Sequence, residues 1–341
     1  MNILLTSAGR RSYLVKYFKE ALKGQGKVHA SNSSWTTALE TADEAVLTPL
    51  IYDESYIQFL LEYCNNNQIN VIISLFDIDL PVLAKSKQMF RDKGIVVIVS
   101  DYDVTQICND KWSTYQFLKE NNFRAPLSFI TLGEAKAAIG DGDLRFPVIL
   151  KPRWGMGSIS IFKAENDLEL GVLYDKVQRE INDSYLKYES KLDPERAVII
   201  QQFMKGQEYG LDIVNDLDKK YVTTFVKKKT AMRSGETDGA VTEQNDILSE
   251  TGKCIAEKLG HIANLDTDCF LIDDNPYILE INCRFGGGYP FSHLAGADLP
   301  TAILKWISKE KLDSELNSLN IGIEGNKDIQ IVKFKDKSQC L

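Results

Sequence analysis

The stretch Asp268–Pro290, DCFLIDDNPYILEINCRFGGGYP, decides how the rest of the chain is read. Two apolar runs, Phe270-Leu271-Ile272 and Tyr277-Ile278-Leu279, carry strand-favouring side chains. Asp273-Asp274-Asn275-Pro276 between them is a cluster of turn formers, so a β-hairpin is expected. The second strand places Glu280 and Asn282 two residues apart, on one face, while Leu279, Ile281 and Cys283 point the other way. A carboxylate beside an amide oxygen is a pair of hard ligands, better suited to Mg²⁺ shared with phosphate oxygens than to zinc. By itself this spacing also fits a half-exposed structural strand. Arg284 and Gly286-Gly287-Gly288 come next, a fixed cation and free backbone N–H groups beside the ligand pair, as phosphoryl transfer requires.

Asp268 on the neighbouring strand is the expected third acid of the metal face. Residues paired across an antiparallel ladder have a constant index sum, and Asp268 shares the face of Glu280 only where that sum is even. Pairing Ile272 with Tyr277 makes it odd, so an odd-length loop or a bulge is predicted between Asp273 and Pro276.

Composition sets the outer limits. At 341 residues and 44% hydrophobic content the chain can build two or three subdomains with proper cores. A formal net charge of −8 argues against nucleic-acid or anionic-membrane partners, which need a basic face. The six cysteines are scattered without a CxxC pair and there are three histidines, so neither a zinc site nor a disulfide framework is expected. The opening MNILLTSAGRR lacks the layout of a signal peptide and no apolar run approaches membrane-spanning length, so a cytoplasmic protein with reduced thiols is expected.

Outward from the hairpin, the N-terminal part alternates strand and helix: Asn2–Ser7, helix Ser12–Leu22, Val28–Ala30, Ala45–Leu47, helix Glu54–Asn66, Asn70–Leu75, helix Leu80–Arg91, Ile95–Val99. That alternation predicts an open parallel sheet with helices on both faces. The first turn has one glycine, and Asn32 stands where a ribose-binding acid would, so a nicotinamide site is disfavoured. Ligands of such sheets sit beyond the carboxyl ends of the strands, which singles out Gly9, Arg10 and Arg11 after the first strand and Asp77 and Asp79 after the strand ending at Leu75. Each also reads as an ordinary capping or solvated turn.

The middle of the chain reads as a second unit. Lys111 opens a helix over Trp112–Lys119, and Phe146–Pro152 is an apolar strand carrying Lys151. Gly155-Met156-Gly157-Ser158 then leads into a strand over Ile159–Phe162, a flap in which glycines let the backbone close over phosphates and the lysine supplies a point charge. A flap of this kind is expected to be displaced or poorly ordered without nucleotide. Strands are predicted over Ala197–Phe203, Tyr209–Val214 and Tyr221–Lys229, a helix over Ile247–Leu259, a helix over Ala302–Ile307 and a last strand over Gln330–Phe334. His261 and His293 read as structural, with His293 the better functional candidate of the two because it follows Tyr289-Pro290 near the site.

Taken together, these motifs resemble the ATP-grasp superfamily, in particular its carbamoyl-phosphate-synthase-like carboxylate–amine ligases. The resemblance runs from residue 1 to about 308 and rests on two lysines, a flap, a hinge with its acid, and the Glu-x-Asn-x-Arg strand, in order. It implies an α/β protein, α+β in its ATP-grasp part: a pre-ATP-grasp domain (1–105) with an open parallel sheet, then a two-lobed ATP-grasp domain (106–204 and 205–308) and a C-terminal extension (309–341). It implies that Lys111, Lys151 and Gly155, Met156, Gly157 and Ser158 hold the ATP phosphates. Gln201 would face the adenine amino group, Gln202, Phe203 and Met204 would form the hinge, and Glu208 would bind ribose. Many family members have glutamate where Gln201 stands. Asp268, Glu280 and Asn282 would hold Mg²⁺, with Mn²⁺ as a substitute, and Arg284 and Arg233 would act on the transferred phosphoryl group. Gly287 and Gly288, with Gly9, Arg10, Arg11, Asp77 and Asp79, would line the acceptor side. The implied activity is ATP-dependent joining of a small-molecule carboxylate to an amine or ammonia through an acyl phosphate, with a homodimer as one candidate assembly. A kinase or carboxylase of the same superfamily, and a nucleotide-binding module without turnover, stay open as alternatives.

Overall fold

The computed structural model describes residues 1–155, 157, 159–312, 316 and 319–334. The expected flap residues Met156 and Ser158 lie outside them. The first third follows the strand–helix alternation: β1 (Ile3–Thr6), α1 (Ser12–Leu22), β2 (Val28–Asn32), α2 (Thr37–Thr41), β3 (Glu44–Leu47), α3 (Tyr56–Asn66), β4 (Val71–Ser74), α4 (Asp79–Arg91) and β5 (Val96–Ile98). The strands form one parallel sheet in the order β3-β2-β1-β4-β5. Ile3, Leu5, Val71 and Ile73 pack with Leu14, Val15, Phe18 and Leu22 of α1, while Leu4 and Ile72 join Tyr56, Leu60, Leu83 and Phe90 of α3 and α4. Both faces of this sheet are therefore covered, and its uninterrupted apolar strands have that cause.

The chain continues through α5 (Tyr102–Asn109) and α6 (Lys111–Glu120) into a lobe of β6 (Ser128–Phe129), α7 (Leu132–Gly140), β7 (Val148–Pro152), β8 (Phe162–Ala164), α8 (Asp167–Asp183), α9 (Lys187–Ser190) and β9 (Val198–Gln202). Its sheet has the order β6-β9-β7-β8. The second flap strand, predicted over Ile159–Phe162, starts only at Phe162. Gly155, Gly157 and Ser160 all have positive φ, a backbone that cannot extend a ladder, so Ile159 and Ser160 stay in a turn.

The last part contains β10 (Gln207–Asn215), β11 (Tyr221–Arg233), β12 (Glu236–Thr242), α10 (Asp246–Leu259), β13 (Ala263–Ile272), β14 (Asn275–Asn282), α11 (Tyr289–Leu294), α12 (Leu299–Ser308) and β15 (Glu324–Asn326). Its sheet is antiparallel, in the order β14-β13-β10-β11-β12-β15. The strand expected over Gln330–Phe334 does not form. Ile331 there is 95% exposed, and the edge of the sheet is taken by β15 instead. No helix among the described residues is long and apolar enough to cross a membrane.

The hairpin of β13 and β14 corrects the expected place of the irregularity. Its loop is the two residues Asp273 and Asp274, both at positive φ, and Ile272 pairs with Asn275. The register shift lies at the other end, between Asp268 and Cys269: Ile278 faces Cys269, but Glu280 faces Asp268 and Asn282 faces Asp266. Leu279 is the extra residue of a bulge. Because of it, Ile278 and Ile281, three residues apart, both join the apolar cluster with α10, and Glu280 and Asn282 share the opposite face with Asp268.

Candidate active site

Strand alternation sorts the six-stranded sheet into an apolar and a charged face. Tyr209, Leu211, Ile213, Val226, Leu265, Cys269, Ile278 and Ile281 pack with Leu248, Ile255, Ala256 and Leu259 of α10. The other face presents Glu280 and Asn282, Asp266 and Asp268, Glu208 and Asp212, and Lys227 and Lys229. Gly210 pairs with both Asp268 and Lys227 and sits in the middle of these charges. A Cβ on Gly210 would lie 3.5 Å from Lys229 Cε and 3.6 Å from Lys227 Cε, in van der Waals contact with both lysines.

The charges are paired in three groups. Lys229 Nζ donates to Glu208 Oε1 at 2.5 Å and lies 2.6 Å from Asp268 Oδ1. Burial alone would lower the Lys229 pKa, but Asp268 and Glu208 outweigh it and hold the ammonium above the usual lysine range. Lys227 is fully buried against Asp212, and Ser292 Oγ accepts from it at 3.1 Å. Arg284 donates from Nε to Asp77 at 3.0 Å and from Nη1 to Asp266 at 2.8 Å, so one guanidinium ties the charged sheet face to the end of β4 in the parallel sheet.

Facing Glu280 from the four-stranded lobe are the two lysines. Lys111, Lys151, Gly155, Gly157, Leu186, Gly235 and Glu280 line one pocket. Lys111 Nζ donates to the Gly155 carbonyl at 2.5 Å, and a Cβ on Gly155 would stand 2.6 Å from Leu186 Cδ2, so glycine is required both for the positive φ and for the contact. Arg153, just before the flap, donates twice to Asp110 at 2.7 Å and so fixes Lys111 from behind. Burial lowers the Lys151 pKa to about 8, against the opposing pull of Glu280. Burial would raise Glu280, but Lys111, Lys151, Arg284 and Lys229 together hold it below the usual carboxylate range. A carboxylate kept ionised among cations at the mouth of a glycine loop can share a divalent ion with phosphate oxygens.

On this geometry several of the expected site residues have partners within the chain. The Gln201 amide oxygen, expected to accept from adenine, accepts from Lys151 at 3.0 Å, and its amide nitrogen donates to Ser128 at 3.0 Å, so Gln201 orients the lysine. Gln202, Phe203 and Met204 do follow at the end of β9, with Lys163 over the Phe203 ring at 5.5 Å. Asp79 is fully buried and accepts from Thr6, Ser7, Tyr56 and Ser74 hydroxyls at 2.5–3.2 Å. Asp77 is paired with Arg284 rather than open to substrate. Arg233 sits at the tip of the β11–β12 hairpin, exposed and paired with Asp238, while its neighbour Gly235 lines the pocket. Gly9 adopts positive φ and donates to Asn32 Oδ1 at 3.4 Å, Arg10 is exposed and Arg11 is half-buried. Asp268 shares the face of Glu280, but its carboxylate is held by Lys229.

The oxygen donors fit Mg²⁺. Glu280, Asn282 and Asp268 converge on one face with no competing sulfur, because Cys269 and Cys283 turn to the apolar side. Among the described residues no three acidic, histidine or cysteine side chains form a metal cage of their own, and Mg²⁺ bound with substrate phosphates uses few protein ligands. Sequence reasoning did not find Asp266, Lys229 as a bridge, or Glu189. The register of β13 would have revealed Asp266 opposite Asn282. Glu189 is buried in α9, accepts from Asn109 Nδ2 at 2.5 Å, and has its pKa pushed by burial to about 7.

Similarity to known proteins bears on the family and the fold. The model of the ATP-grasp domain matches residues 108–288, and that of a PylC-like N-terminal domain matches residues 3–98. The arginine-specific carbamoyl phosphate synthase large chain of Geobacillus stearothermophilus is 22% identical over 253 residues, covering 72% of this chain and 22% of its own length. The carbamoyl phosphate synthase large chain of Methanosphaerula palustris is 22% identical over 322 residues, covering 88% of this chain and 28% of its own. The chain thus spans 22–28% of the length of these curated relatives. Among solved structures, an L-amino acid ligase from Bacillus licheniformis superposes with a TM-score of 0.71 at 18% identity, covering 94% of this chain and 78% of that one. An N5-carboxyaminoimidazole synthetase from Staphylococcus aureus complexed with ADP gives 0.69 at 16% identity, covering 94% and 80%. At such identities the structural likeness speaks for the fold.

Proposed function

Because the chain belongs to the ATP-grasp family, we propose that it is an ADP-forming ligase that joins a small-molecule carboxylate to an amine or ammonia. The observation that carries this reading is the convergence of Lys111, Lys151, Gly155, Gly157 and Glu280, from separate segments, on one pocket. A carboxylate is a poor electrophile, so its oxygen first attacks the γ-phosphorus of ATP and ADP leaves. The amine nitrogen then attacks the acyl carbon, loses a proton and displaces phosphate.

In this reading the hinge at Gln202–Met204 takes adenine and Glu208 the ribose. Lys111 exchanges the Gly155 carbonyl for a phosphate oxygen, and Lys151, oriented by Gln201, neutralises its neighbour. Glu280 and Asn282 would hold Mg²⁺, with Asp268 added where Lys229 turns to Glu208 alone, and Mn²⁺ would fit the same oxygens. The ion would supply charge neutralisation on the phosphates. Arg284 holds the acceptor side in place through Asp77 and Asp266.

The test is trapping. With ATP, Mg²⁺ and a panel of carboxylic acids, hydroxylamine in place of the amine should yield a hydroxamate with matching ADP release. Glu280→Ala should suppress both together by about 10²–10³, the size of a lost electrostatic contact to the transition state. ADP release without any hydroxamate, accompanied by a phosphorylated or carboxylated product, would replace the ligase with a kinase or carboxylase. Nucleotide binding without ADP release from any acid would leave a binding module.

A further inference from the structure

Two buried polar groups on α9 lack partners. Leu186, whose backbone is already helical and whose carbonyl accepts the Ser190 N–H at 3.1 Å, lines the phosphate pocket beside Lys111, Gly155 and Glu280. Residues three and four apart share a helix face, so Glu189 and Ser190 lie on the Leu186 side. Glu189 is 9% exposed and Ser190 4%, and among the described residues neither Glu189 Oε2 nor Ser190 Oγ has a hydrogen-bond partner. Leaving a buried carboxylate oxygen without a donor is costly, and most such atoms in folded proteins are satisfied.

Glu189 is held in place from two sides. Its Oε1 accepts from Asn109 Nδ2 at 2.5 Å, two residues before Lys111. Arg153, which holds Asp110, also donates to Asp193 at 3.2 Å, and the Asp193 N–H donates to the Ser190 carbonyl at 3.2 Å. One guanidinium thus clamps the end of α9 to the start of α6. Next to Glu189, the Tyr188 ring stacks on Tyr52 at 4.4 Å, and Tyr52 belongs to the loop after β3, at the carboxyl end of the parallel sheet. Glu189 therefore stands where the phosphate pocket meets the edge at which an open parallel sheet takes its ligands.

The free oxygen selects its partner by charge. ATP and a carboxylic acid bring anionic oxygens, which a carboxylate repels. An amine brings N–H donors and, at neutral pH, a positive charge, and it must lose a proton before its nitrogen can attack. Burial raises the Glu189 pKa to about 7; the Asn109 hydrogen bond and Lys111 oppose the rise, and Asp77 and Asp110 add to it. A carboxyl group that exchanges its proton near neutral pH suits that task.

We propose that Glu189, with Ser190 beside it, binds the amine substrate in its ammonium form and takes the proton that the nitrogen must lose. The ammonium gives one proton to the Glu189 carboxylate. The freed amine forms the N–C bond at the acyl carbon, the C–O bond to phosphate breaks, and a second proton leaves with it as hydrogen phosphate. Glu189, now neutral, returns its proton to solvent. The inference rests on the ligase reading for the presence of an amine beside an acyl phosphate.

The first measurement needs no turnover. Infrared difference spectra of the full chain with MgADP are recorded in heavy water at pH 6.5, where a carboxyl group of pKa about 7 is mostly protonated. The probes are ammonium, ethylammonium and ethanolammonium chloride. Potassium chloride and tetramethylammonium chloride, which offer charge without an N–H, are the controls at equal ionic strength. At least one probe should convert a carboxylic-acid carbonyl band into carboxylate bands. Glu189→Gln, checked by its thermal transition to be folded, should lack that band, and Asn109→Ala, which frees Oε1, should shift it. No response to any probe, an equal response to either control, or a band unchanged in both variants would each overturn the proposal.

The second measurement uses an acid that gives a hydroxamate. Hydroxylamine is largely uncharged at pH 7 and has no proton to lose before attack, whereas the ammonium probes do. Glu189→Gln should slow amide formation from a reactive probe by about 10²–10⁴ and hydroxamate formation by no more than a few-fold. Equal losses with both nucleophiles would make Glu189 a support for Lys111 and overturn the proposal. The infrared response without any hydroxamate would fail the ligase reading and leave the ammonium site, and a hydroxamate without the response would fail this inference alone.

Discussion

His261 sets a pH limit on stability through burial alone. It is completely buried, its Nε2 lies 3.0 Å from the Ile213 carbonyl, and desolvation lowers its pKa to about 4. An unfolded histidine titrates near 6.5, so between about pH 6.5 and 4 the unfolded chain binds more protons than the folded one, and stability falls as pH falls. The contribution is fully present above pH 6.5, and its complete loss below pH 4 amounts to about 3 kcal/mol. Urea unfolding of the wild type and His261→Asn from pH 7.5 to 4.5 should show the two curves converging as pH drops; parallel curves would remove His261 from the account. At this scale the sequence was most legible where a charge stands next to glycine or at a strand end, as with Lys111, Lys151 and Glu280. It was least legible where a charge answers another charge far along the chain. Arg284 was visible as a cation, but its two partners, Asp77 and Asp266, are 207 and 18 residues away. Nothing local marks Asp79 as the acceptor of four hydroxyls.

At the scale of the element, the β13–β14 hairpin was legible as a hairpin, and the need for an irregularity followed from the parity of its register. Its position did not. Asp273-Asp274 contains no glycine, yet both residues adopt positive φ, so the turn is tighter than the four polar residues suggested and the strands run on through Asn275 and Pro276. The compensating bulge falls at Leu279, where an apolar residue among apolar residues gives no signal. Deleting Leu279 should leave a regular ladder in which Ile278 still faces Cys269 and Glu280 still faces Asp268, so Glu280 and Asn282 stay on the charged face. The deletion variant should fold and keep its thermal shift with MgADP, as should Leu279→Ala. A folded deletion variant without the shift would show that the local geometry of the bulge, and not the register alone, sets the metal face. The same limit applies to β12, whose sequence ETDGAVT has weak strand preference and pairs because β11 lies beside it.

At the scale of the whole molecule, the apolar clusters join segments that the chain order keeps apart. Leu4 and Ile72 of the first sheet and Leu80 of α4 share a cluster with Leu211, Leu265 and Ile281, and Leu14 and Phe18 share another with Phe285, Tyr289 and Ile303. The four-stranded lobe is different. Among the described residues its cluster of Leu144, Val148, Leu150, Val177, Ile181, Val198 and Ile200 draws on nothing outside 129–200. The chain enters this lobe on β6 and leaves it on β9, and those strands are neighbours: Ser128 pairs with Gln201 and Phe129 with Ile200. The lobe is therefore a detour that begins and ends at one hydrogen-bonded rung. Replacing residues 130–199 by an Asn-Gly turn between Phe129 and Ile200 should leave a folded remainder with a cooperative thermal transition, since that rung suits a two-residue hairpin. A remainder without such a transition would mean that the lobe helps to hold the other two sheets together. The rung also bears on ancestry and on engineering. A piece whose two ends meet can be exchanged between relatives as a unit, so the flap and its lysine can be inherited, or grafted, separately from the charged sheet that faces them.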